Sequence, residues 1–139
     1  MPEVSTTYPF WATDTIRYCD TDRQGHVNNA IFAQFLETGR VHLLLDPDRS
    51  LIEPGANIVI VRLVLDFKAE IKWPGEVRVG TRIAAVGRSS MTLQQEIFQG
   101  DRSAAMAESV IVQVNATSGE SRPFSATMTA RIAALMDAE

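Results

Sequence analysis

The sequence has little cysteine and little histidine. Cys19 is the only cysteine among 139 residues, which excludes an internal disulfide framework and suits a reducing compartment. The two histidines, His26 and His42, are too few for a zinc site unless several carboxylates join them, so we expect no metal. Cys19 has no base at a spacing that would activate it. We therefore expect a half-buried strand residue there rather than a nucleophile.

Basic charge and long apolar runs are also missing. A net charge of −4 argues against nucleic acid or an anionic membrane as a partner, although a local basic patch for a phosphorylated ligand is compatible with it. No apolar run approaches the roughly 20 residues that span a bilayer. The first seven residues lack the basic and apolar regions of a signal peptide. These absences predict a cytoplasmic protein with no nucleic-acid partner and no membrane insertion.

The remaining composition is that of an ordinary globular protein, with 45% apolar and 22% charged residues. A chain of 139 residues is long enough for one core without staples. The sequence contains no repeats, linkers or low-complexity tracts. We expect a single domain over residues 1–139.

Helical and strand patterns follow one another in an order that predicts an α+β fold. A first strand is predicted over residues 8–18, and a long, mostly apolar helix over residues 29–45, which Asp46-Pro47 ends. A short helix capped by Ser125 is predicted at the end of the chain. Between the helices the period changes to two, which predicts four strands at 58–67, 76–85, 91–99 and 104–115.

The connections between these four strands are short, so we expect consecutive strands to be antiparallel neighbours. In the first of them one face is predicted to carry Val59, Val61, Leu63, Leu65 and Phe67. In the second, one face is predicted to carry Val77, Val79, Thr81, Ile83 and Ala85. A large sheet with one apolar helix predicts an antiparallel sheet wrapped around that long central helix.

Residues 17–29 concentrate the polar chemistry of the chain, reading RYCDTDRQGHVNN. Two carboxylates, a histidine and an Asn-Asn pair lie directly before the long helix. Asn28 and Asn29 are good helix-capping types. Because a helix begins with unpaired backbone N–H groups, this loop would hold Asp22 and His26 beside donors that can polarise a carbonyl oxygen. The pattern therefore predicts an acyl-transfer site.

This segment resembles the hotdog-fold acyl-CoA thioesterases of the 4-hydroxybenzoyl-CoA thioesterase type, through DTDRQGHVNN at 20–29 and the aromatic-rich helix that follows. The HVNN run is also similar to plant acyl-carrier-protein thioesterases. Segments 67–77, 87–90 and 122–123 extend the resemblance over nearly the whole chain. It implies a hotdog fold and hydrolysis of the thioester of an acyl-CoA, or of the thioester on an acyl carrier protein. CoA is then part of the substrate, and no separate cofactor is implied.

The resemblance places the catalytic carboxylate at Asp22 and the carbonyl-polarising N–H at about Asn29. In the plant enzymes a histidine at the place of His26 is catalytic together with an asparagine two residues earlier, where this chain has Gln24. His26 is therefore either catalytic or a hydrogen-bonding group that orients Asp22. Asp22 could also be only a turn residue. Attack by Asp22 on the thioester and activation of water by Asp22 both stay open.

Two further carboxylates have simpler interpretations. We expect Asp20 to fix the loop as an acceptor. Glu37 lies in the long helix, from which some hotdog thioesterases draw their carboxylate. A buried ion pair of Glu37 with Arg40 or Arg17 is the favoured interpretation.

The turn Arg88-Ser89-Ser90 is the candidate binding site for the phosphates of the CoA arm. Arg62 and Lys68 are further candidates. A solvated turn is the alternative interpretation of the same residues.

Residues 58–61 are apolar on both faces, more than a solvent-facing edge strand should be. This predicts a homodimer, and the family resemblance implies dimers or tetramers with the active site at the dimer interface.

Two other functions are considered. A hotdog hydratase would carry an Asn-Pro between Asp and His, which this chain lacks, and a non-catalytic acyl-CoA-binding protein could use the same fold.

Overall fold

The computed structural model describes residues 8–136 as one antiparallel five-stranded sheet with two helices. A short 3-10 helix, Tyr18–Asp20, follows the first strand. The elements in chain order are β1 (Phe10–Ile16), α1 (Asn29–Leu44), β2 (Ala56–Phe67), β3 (Gly75–Val86), β4 (Ser90–Gln99), β5 (Arg102–Asn115) and α2 (Ala126–Met136). The strand order is β1-β3-β4-β5-β2, and the predicted α+β class is confirmed. The longest helix, α1, has 16 residues and follows residues 17–28, which we call the polar loop.

β2 and β3 follow each other in the sequence but are not neighbours in the sheet. β2 pairs only with β5, whereas β3 lies between β1 and β4. The prediction that consecutive strands are neighbours is therefore wrong for this connection. The backbone N–H groups of Lys68 and Ala69 both donate to the carbonyl of Ala104, so the chain leaves β2 across the start of β5 and then continues to β3.

Two irregularities in the strands change which residues share a face. The pairing of β2 with β5 shifts between Ile60 and Arg62. Ile60 pairs with the buried Ile111, so Val59 lies on the other face, and its predicted place beside Leu63 is wrong. The pairing of β3 with β4 shifts between Ile83 and Ala85. Ala85 is exposed, although the four alternating residues before it are buried as predicted: Val77, Val79, Thr81 and Ile83.

One face of α1 covers the sheet. It packs against β1, β3 and β4, and at Gly39 the helix comes so close that an added Cβ would lie 2.7 Å from Val79 Cγ1. The opposite face is exposed, including Glu37 and Val41. The mostly apolar helix that the sequence predicts is therefore buried on only one face in the single chain. The buried face consists of Phe32, Phe35, Leu36, Gly39, Leu43 and Leu44.

The core divides along the length of α1. We call the end of the sheet that holds Ile16 and Gly75 the loop end, because the polar loop lies there, and the end that holds Val86 and Ser90 the hairpin end. The cluster at the loop end includes Phe32 and Ile97, and the cluster at the hairpin end includes Leu43 and α2. The hydroxyl of Ser125 accepts from the N–H of Met128 (3.0 Å), which confirms the predicted cap of α2.

Candidate active site

Asp20 closes the polar loop between β1 and α1. Its side chain is buried, its Oδ2 accepts from the backbone N–H of Arg17 (2.8 Å), and its Oδ1 accepts from Arg17 Nη2 (3.0 Å). Its carbonyl accepts from the N–H of Asn28 (2.9 Å). Asp20 is thus confirmed as a loop-fixing acceptor. The same bonds bend the chain into the 3-10 helix that contains Cys19, which is exposed, so the prediction of a half-buried strand residue is wrong.

Asp22 is exposed, and only one of its carboxylate oxygens is used by the loop. Oδ1 accepts from the backbone N–H groups of Gln24 (2.9 Å) and His26 (3.2 Å). The N–H of Asp22 donates to the carbonyl of His26 (2.8 Å), and Gly25 makes this tight turn at φ +82°. Oδ2 accepts no hydrogen bond from residues 8–136. The carboxylate is therefore oriented through one oxygen, and the other is not used by residues 8–136.

The imidazole of His26 lies against Glu70 rather than Asp22. Its Nε2 is 3.2 Å from Glu70 Oε1. The backbone of His26 forms an isolated bridge with Lys72, and Val27 N donates to the carbonyl of Ile71 (2.8 Å). His26 therefore contacts Asp22 through its backbone, reaches Glu70 through its ring and bridges to Lys72 through its backbone.

Asn28, not Asn29, is the cap of α1. Its Oδ1 accepts from the N–H of Ala30 (2.9 Å), and its carbonyl accepts from the N–H of Ile31 (2.9 Å). The N–H of Asn29, the first helical residue, donates to no acceptor among residues 8–136. The cap therefore leaves one N–H available at the positive end of the helix. This is the N–H to which the family resemblance assigns the polarisation of the thioester carbonyl.

Three residues at the loop end received no functional role from the sequence. Glu70 holds the ring of His26. Tyr18 and Trp73, both exposed, form an edge-to-face pair with ring centroids 5.3 Å apart. Each of these contacts joins segments more than forty residues apart in the chain. No local pattern could have revealed them.

The turn Arg88-Ser89-Ser90 is not near Asp22 in the same chain. It lies at the hairpin end, between β3 and β4, whereas the polar loop contacts the segment just before β3. β3 has twelve residues, so the two regions are roughly 35 Å apart at about 3.3 Å per residue. One chain therefore does not bring the predicted substrate-binding residues together with the predicted catalytic residues.

The other predicted charge contacts are also different in the structure. Arg17 pairs with Asp20, and Glu37 forms no ion pair with Arg40 or with any other residue in the range 8–136. The favoured interpretation of Glu37 is therefore wrong. Arg62 Nη1 lies 3.4 Å from Glu108 Oε2, and Lys68 Nζ lies 3.9 Å from Glu96 Oε2. Both cations are at least partly neutralised by the sheet.

Within residues 8–136, no group of three or more histidine, cysteine or acidic side chains is arranged to hold a metal ion. Over the same range, no helix has both the length and the apolar composition needed to cross a membrane.

Comparison with solved structures gives close relatives in fold. A thioesterase from Thermus thermophilus, solved in complex with coenzyme A and Zn, is 30% identical to this chain, with a TM-score of 0.80 over 93% of this chain and 95% of its own. A predicted thioesterase from Bacillus stearothermophilus is 29% identical, with a TM-score of 0.80 over 91% of this chain and 95% of its own. Both likenesses therefore extend over most of the fold rather than over one motif.

Comparison of sequences points the same way. The uncharacterized protein YsmA of Bacillus subtilis (strain 168) is 27% identical over 120 residues, which are 85% of this chain and 81% of YsmA. The model of the thioesterase-like superfamily matches residues 16–132, from the end of β1 into α2. The chain therefore belongs to the thioesterase-like superfamily and is a thioester hydrolase with the hotdog fold.

Proposed function

We propose that the protein hydrolyses acyl-CoA thioesters at the junction of the polar loop and α1. The observation that supports this most is the geometry of Asp22 and Asn29. Asp22 is oriented through Oδ1 and open at Oδ2, and it precedes a helix whose first N–H lacks an acceptor among residues 8–136. A carboxylate and a polarising donor are the two groups that hydrolysis of a thioester needs.

In this proposal the thioester carbonyl oxygen accepts a hydrogen bond from the N–H of Asn29. That donor stabilises the negative charge that develops on the oxygen, a contribution on the order of 3 kcal/mol. The N–H of Asn29 is available because Asn28 caps the neighbouring N–H of Ala30 instead.

Asp22 then acts through its open oxygen by one of two routes. As a general base it takes a proton from water, the water oxygen bonds to the carbonyl carbon, and the carbon–sulfur bond breaks as the CoA thiolate leaves. As a nucleophile it bonds to the same carbon, expels the thiolate, and leaves an acyl anhydride that water opens. The free acid and CoA are the products of both routes. The geometry of Asp22 is compatible with either.

His26 and Glu70 position the loop in this proposal. The ring of His26 reaches Glu70, and its backbone N–H supports the carboxylate of Asp22. A change of His26 would therefore act on Asp22 through the loop. The alternative in which the imidazole itself takes part in proton transfer has no direct contact with Asp22 to support it.

CoA enters as part of the substrate, so we propose no separate cofactor. The complex of the Thermus thermophilus relative with coenzyme A supports this choice of carrier. An acyl carrier protein is the alternative carrier, and the cytoplasmic location stays a prediction.

We also propose a homodimer formed along β2, as the sequence predicts. β2 is an edge strand of the sheet, and a long apolar edge is a template for pairing. An antiparallel pairing of β2 with its copy would turn the partner's sheet end for end. The partner's Arg88 would then lie at the same end of the assembly as Asp22. The exposed apolar residues of β2 are Val59, Ile60, Val61, Leu63, Val64 and Phe67.

Thiol release from a panel of acyl-CoAs, short to long and aromatic, and from acyl-carrier-protein thioesters tests the carrier and the acyl class. We expect turnover of at least one acyl-CoA class. Release only from the carrier protein would move the assignment to that carrier. Tight binding of acyl-CoAs without any release would contradict hydrolysis and support a binding protein on the same fold.

A further inference from the structure

Arg40 carries a charge that forms no ion pair within residues 8–136. Its side chain is partly buried on α1, and its Nη1 is buried and donates to no atom among residues 8–136. Burial lowers the pKa of this guanidinium, and the negative charge of Glu37 acts in the opposite direction. A buried N–H of a charged group is costly when nothing accepts from it. Residues 8–136 therefore supply no acceptor for this N–H, and the same guanidinium lines an open groove.

Glu37 is the matching unpaired charge. It lies three residues before Arg40 and is exposed. Positions three apart are neighbours on one helix face, yet no ion pair forms between the two within the described range 8–136. A negative and a positive group thus stand side by side on one face of α1, and each is available to a partner.

Both residues line an open groove between α1 and the edge strand β2. One part of it, about 420 Å³, lies between Glu37, Arg40 and residues 60–63 of β2. A second part, about 210 Å³, continues past Val41 and Leu44. Because α1 packs against β1, β3 and β4, the groove above β2 stays unfilled in the single chain.

A single two-fold axis can relate both the two β2 strands and the two α1 helices of a dimer. β2 has twelve residues, so its midpoint lies between Val61 and Arg62. Both of these residues line the groove together with Glu37 and Arg40. An antiparallel pairing of two β2 strands centred on this midpoint places the axis beside the Glu37–Arg40 turn of α1. In a two-fold interface residue i meets residue j, and residue j meets residue i.

We propose that a second copy of this chain docks on β2 and α1, and that Glu37 and Arg40 form two reciprocal ion pairs across the two-fold axis. Each Arg40 then pairs with the partner's Glu37 through the part of its guanidinium that lines the groove. We choose another copy as the occupant because a two-fold rotation brings the negative Glu37 of each chain to the positive Arg40 of the other. This inference rests on the homodimer of the proposed function, and it names the charges that set the register of that dimer.

Charge substitution with mixing of variants tests the pairs. Glu37→Arg gives a chain with two positive charges at these positions, and Arg40→Glu gives a chain with two negative charges. Each variant alone opposes like charges across the axis twice, so we expect the dimer dissociation constant to rise by at least tenfold. An equimolar mixture should form heterodimers with about the native affinity. Sedimentation velocity and native mass spectrometry measure both effects without substrate.

Asp101→Arg, which makes the same charge change in an exposed turn between β4 and β5, is the matched control and should dimerise like the native protein. Thermal unfolding of each variant shows whether the fold is kept. Single variants that dimerise like the native protein, a mixture without heterodimers, or a native protein that stays monomeric would each overturn the proposal. Because association is measured without turnover, a failure here is separate from a failure of the thioesterase assignment.

Discussion

At the scale of single residues, the central feature of the site is that only one oxygen of the Asp22 carboxylate is hydrogen-bonded to the loop. Oδ1 accepts two backbone hydrogen bonds, and this fixes the direction of the carboxylate without consuming Oδ2. Turn aspartates commonly form such local bonds, so these bonds alone fit a structural role as well as a catalytic one. The start of α1 favours the catalytic role, because Asn28 caps one N–H there and leaves that of Asn29 for a ligand.

The sequence predicted the local part of this arrangement and missed the rest. Asp20, Asp22 and the helix start lie within ten residues, and their contacts depend on loop geometry that the motif encodes. The contact of His26 with Glu70 depends on the crossing of residues 68–74, a long-range feature with no local pattern. The sequence therefore could not identify Glu70 as the partner of the His26 imidazole.

Tyr8 illustrates a residue-scale contact that stabilises the fold. Its hydroxyl donates to Oε1 of the buried Glu96 (2.8 Å), whose other oxygen accepts from the hydroxyl of Ser103. Burial and the hydrogen bond to Glu96 raise the pKa of Tyr8 well above its usual value. The folded chain therefore keeps this proton at a pH where the unfolded chain has lost it.

Tyr8→Phe should lower the free energy of unfolding by about 1–3 kcal/mol at neutral pH, because the Glu96 carboxylate loses a donor while buried. In the native protein the contribution of Tyr8 is complete below about pH 10 and is lost as the pH rises beyond it. Tyr8→Phe should therefore reduce the alkaline decline in stability. Urea unfolding at neutral pH and above pH 10 measures both effects. Tyr18→Phe, at an exposed position, is the control, and equal pH dependence of Tyr8→Phe and native protein would contradict the account.

At the scale of elements, the position of α1 on the sheet sets where its N-terminus points. Strand and helix periods located the five strands and α1 to within a few residues, since those periods are local, whereas the 3-10 helix Tyr18–Asp20 was not predicted. The shifts in β2 and β3 were not visible, because a bulge leaves the alternation of apolar letters unchanged while it changes the face. The predicted partner of β2 was wrong for a related reason, since a short connection favours neighbours but does not enforce them.

Gly39→Ala should show that close packing positions α1. A Cβ at Gly39 would lie 2.7 Å from Gln95 Nε2 and from Val79 Cγ1, so the helix would have to move off the sheet. We expect a loss of about 1–3 kcal/mol in the free energy of unfolding, although Ala exceeds Gly in helix propensity by about 1 kcal/mol. Chemical denaturation measures it, with the exposed helix substitution Gln34→Ala as control. A stabilised Gly39→Ala variant would contradict this packing argument.

At the scale of the whole molecule, the sheet separates the predicted binding turn from the predicted catalytic loop. The sequence could assign a role to each of them but not their distance, since that depends on strand direction and order. The proposed dimer reconciles the two by placing the partner's Arg88 at the end of the assembly that holds Asp22. If the site is shared between chains, two variants that are each impaired should complement each other in a heterodimer, whereas a site within one chain would not allow this.

Mixing two inactive or impaired variants should restore activity if the site is shared. In a heterodimer of Asp22→Asn with Arg88→Glu, one site keeps Asp22 from one chain and Arg88 from the other. We expect about half the native activity per heterodimer at low substrate concentration, well above either variant alone. Thiol release from mixed and unmixed samples measures it. A mixture no more active than the mean of the two variants would place both residues in the same chain's site or outside it.

The most direct measurement is thiol release from the best acyl-CoA substrate by the native protein, Asp22→Asn and Asp46→Asn. Asparagine keeps an oxygen that can accept the loop's hydrogen bonds, so Asp22→Asn should fold normally and lose about 100-fold or more in kcat. Asp46 makes a similar turn, with its Oδ1 accepting from the N–H of Asp48 (2.9 Å) at the other end of α1, and Asp46→Asn should keep nearly native activity. Full activity in Asp22→Asn, or an equal loss in both variants, would contradict Asp22 as the catalytic carboxylate.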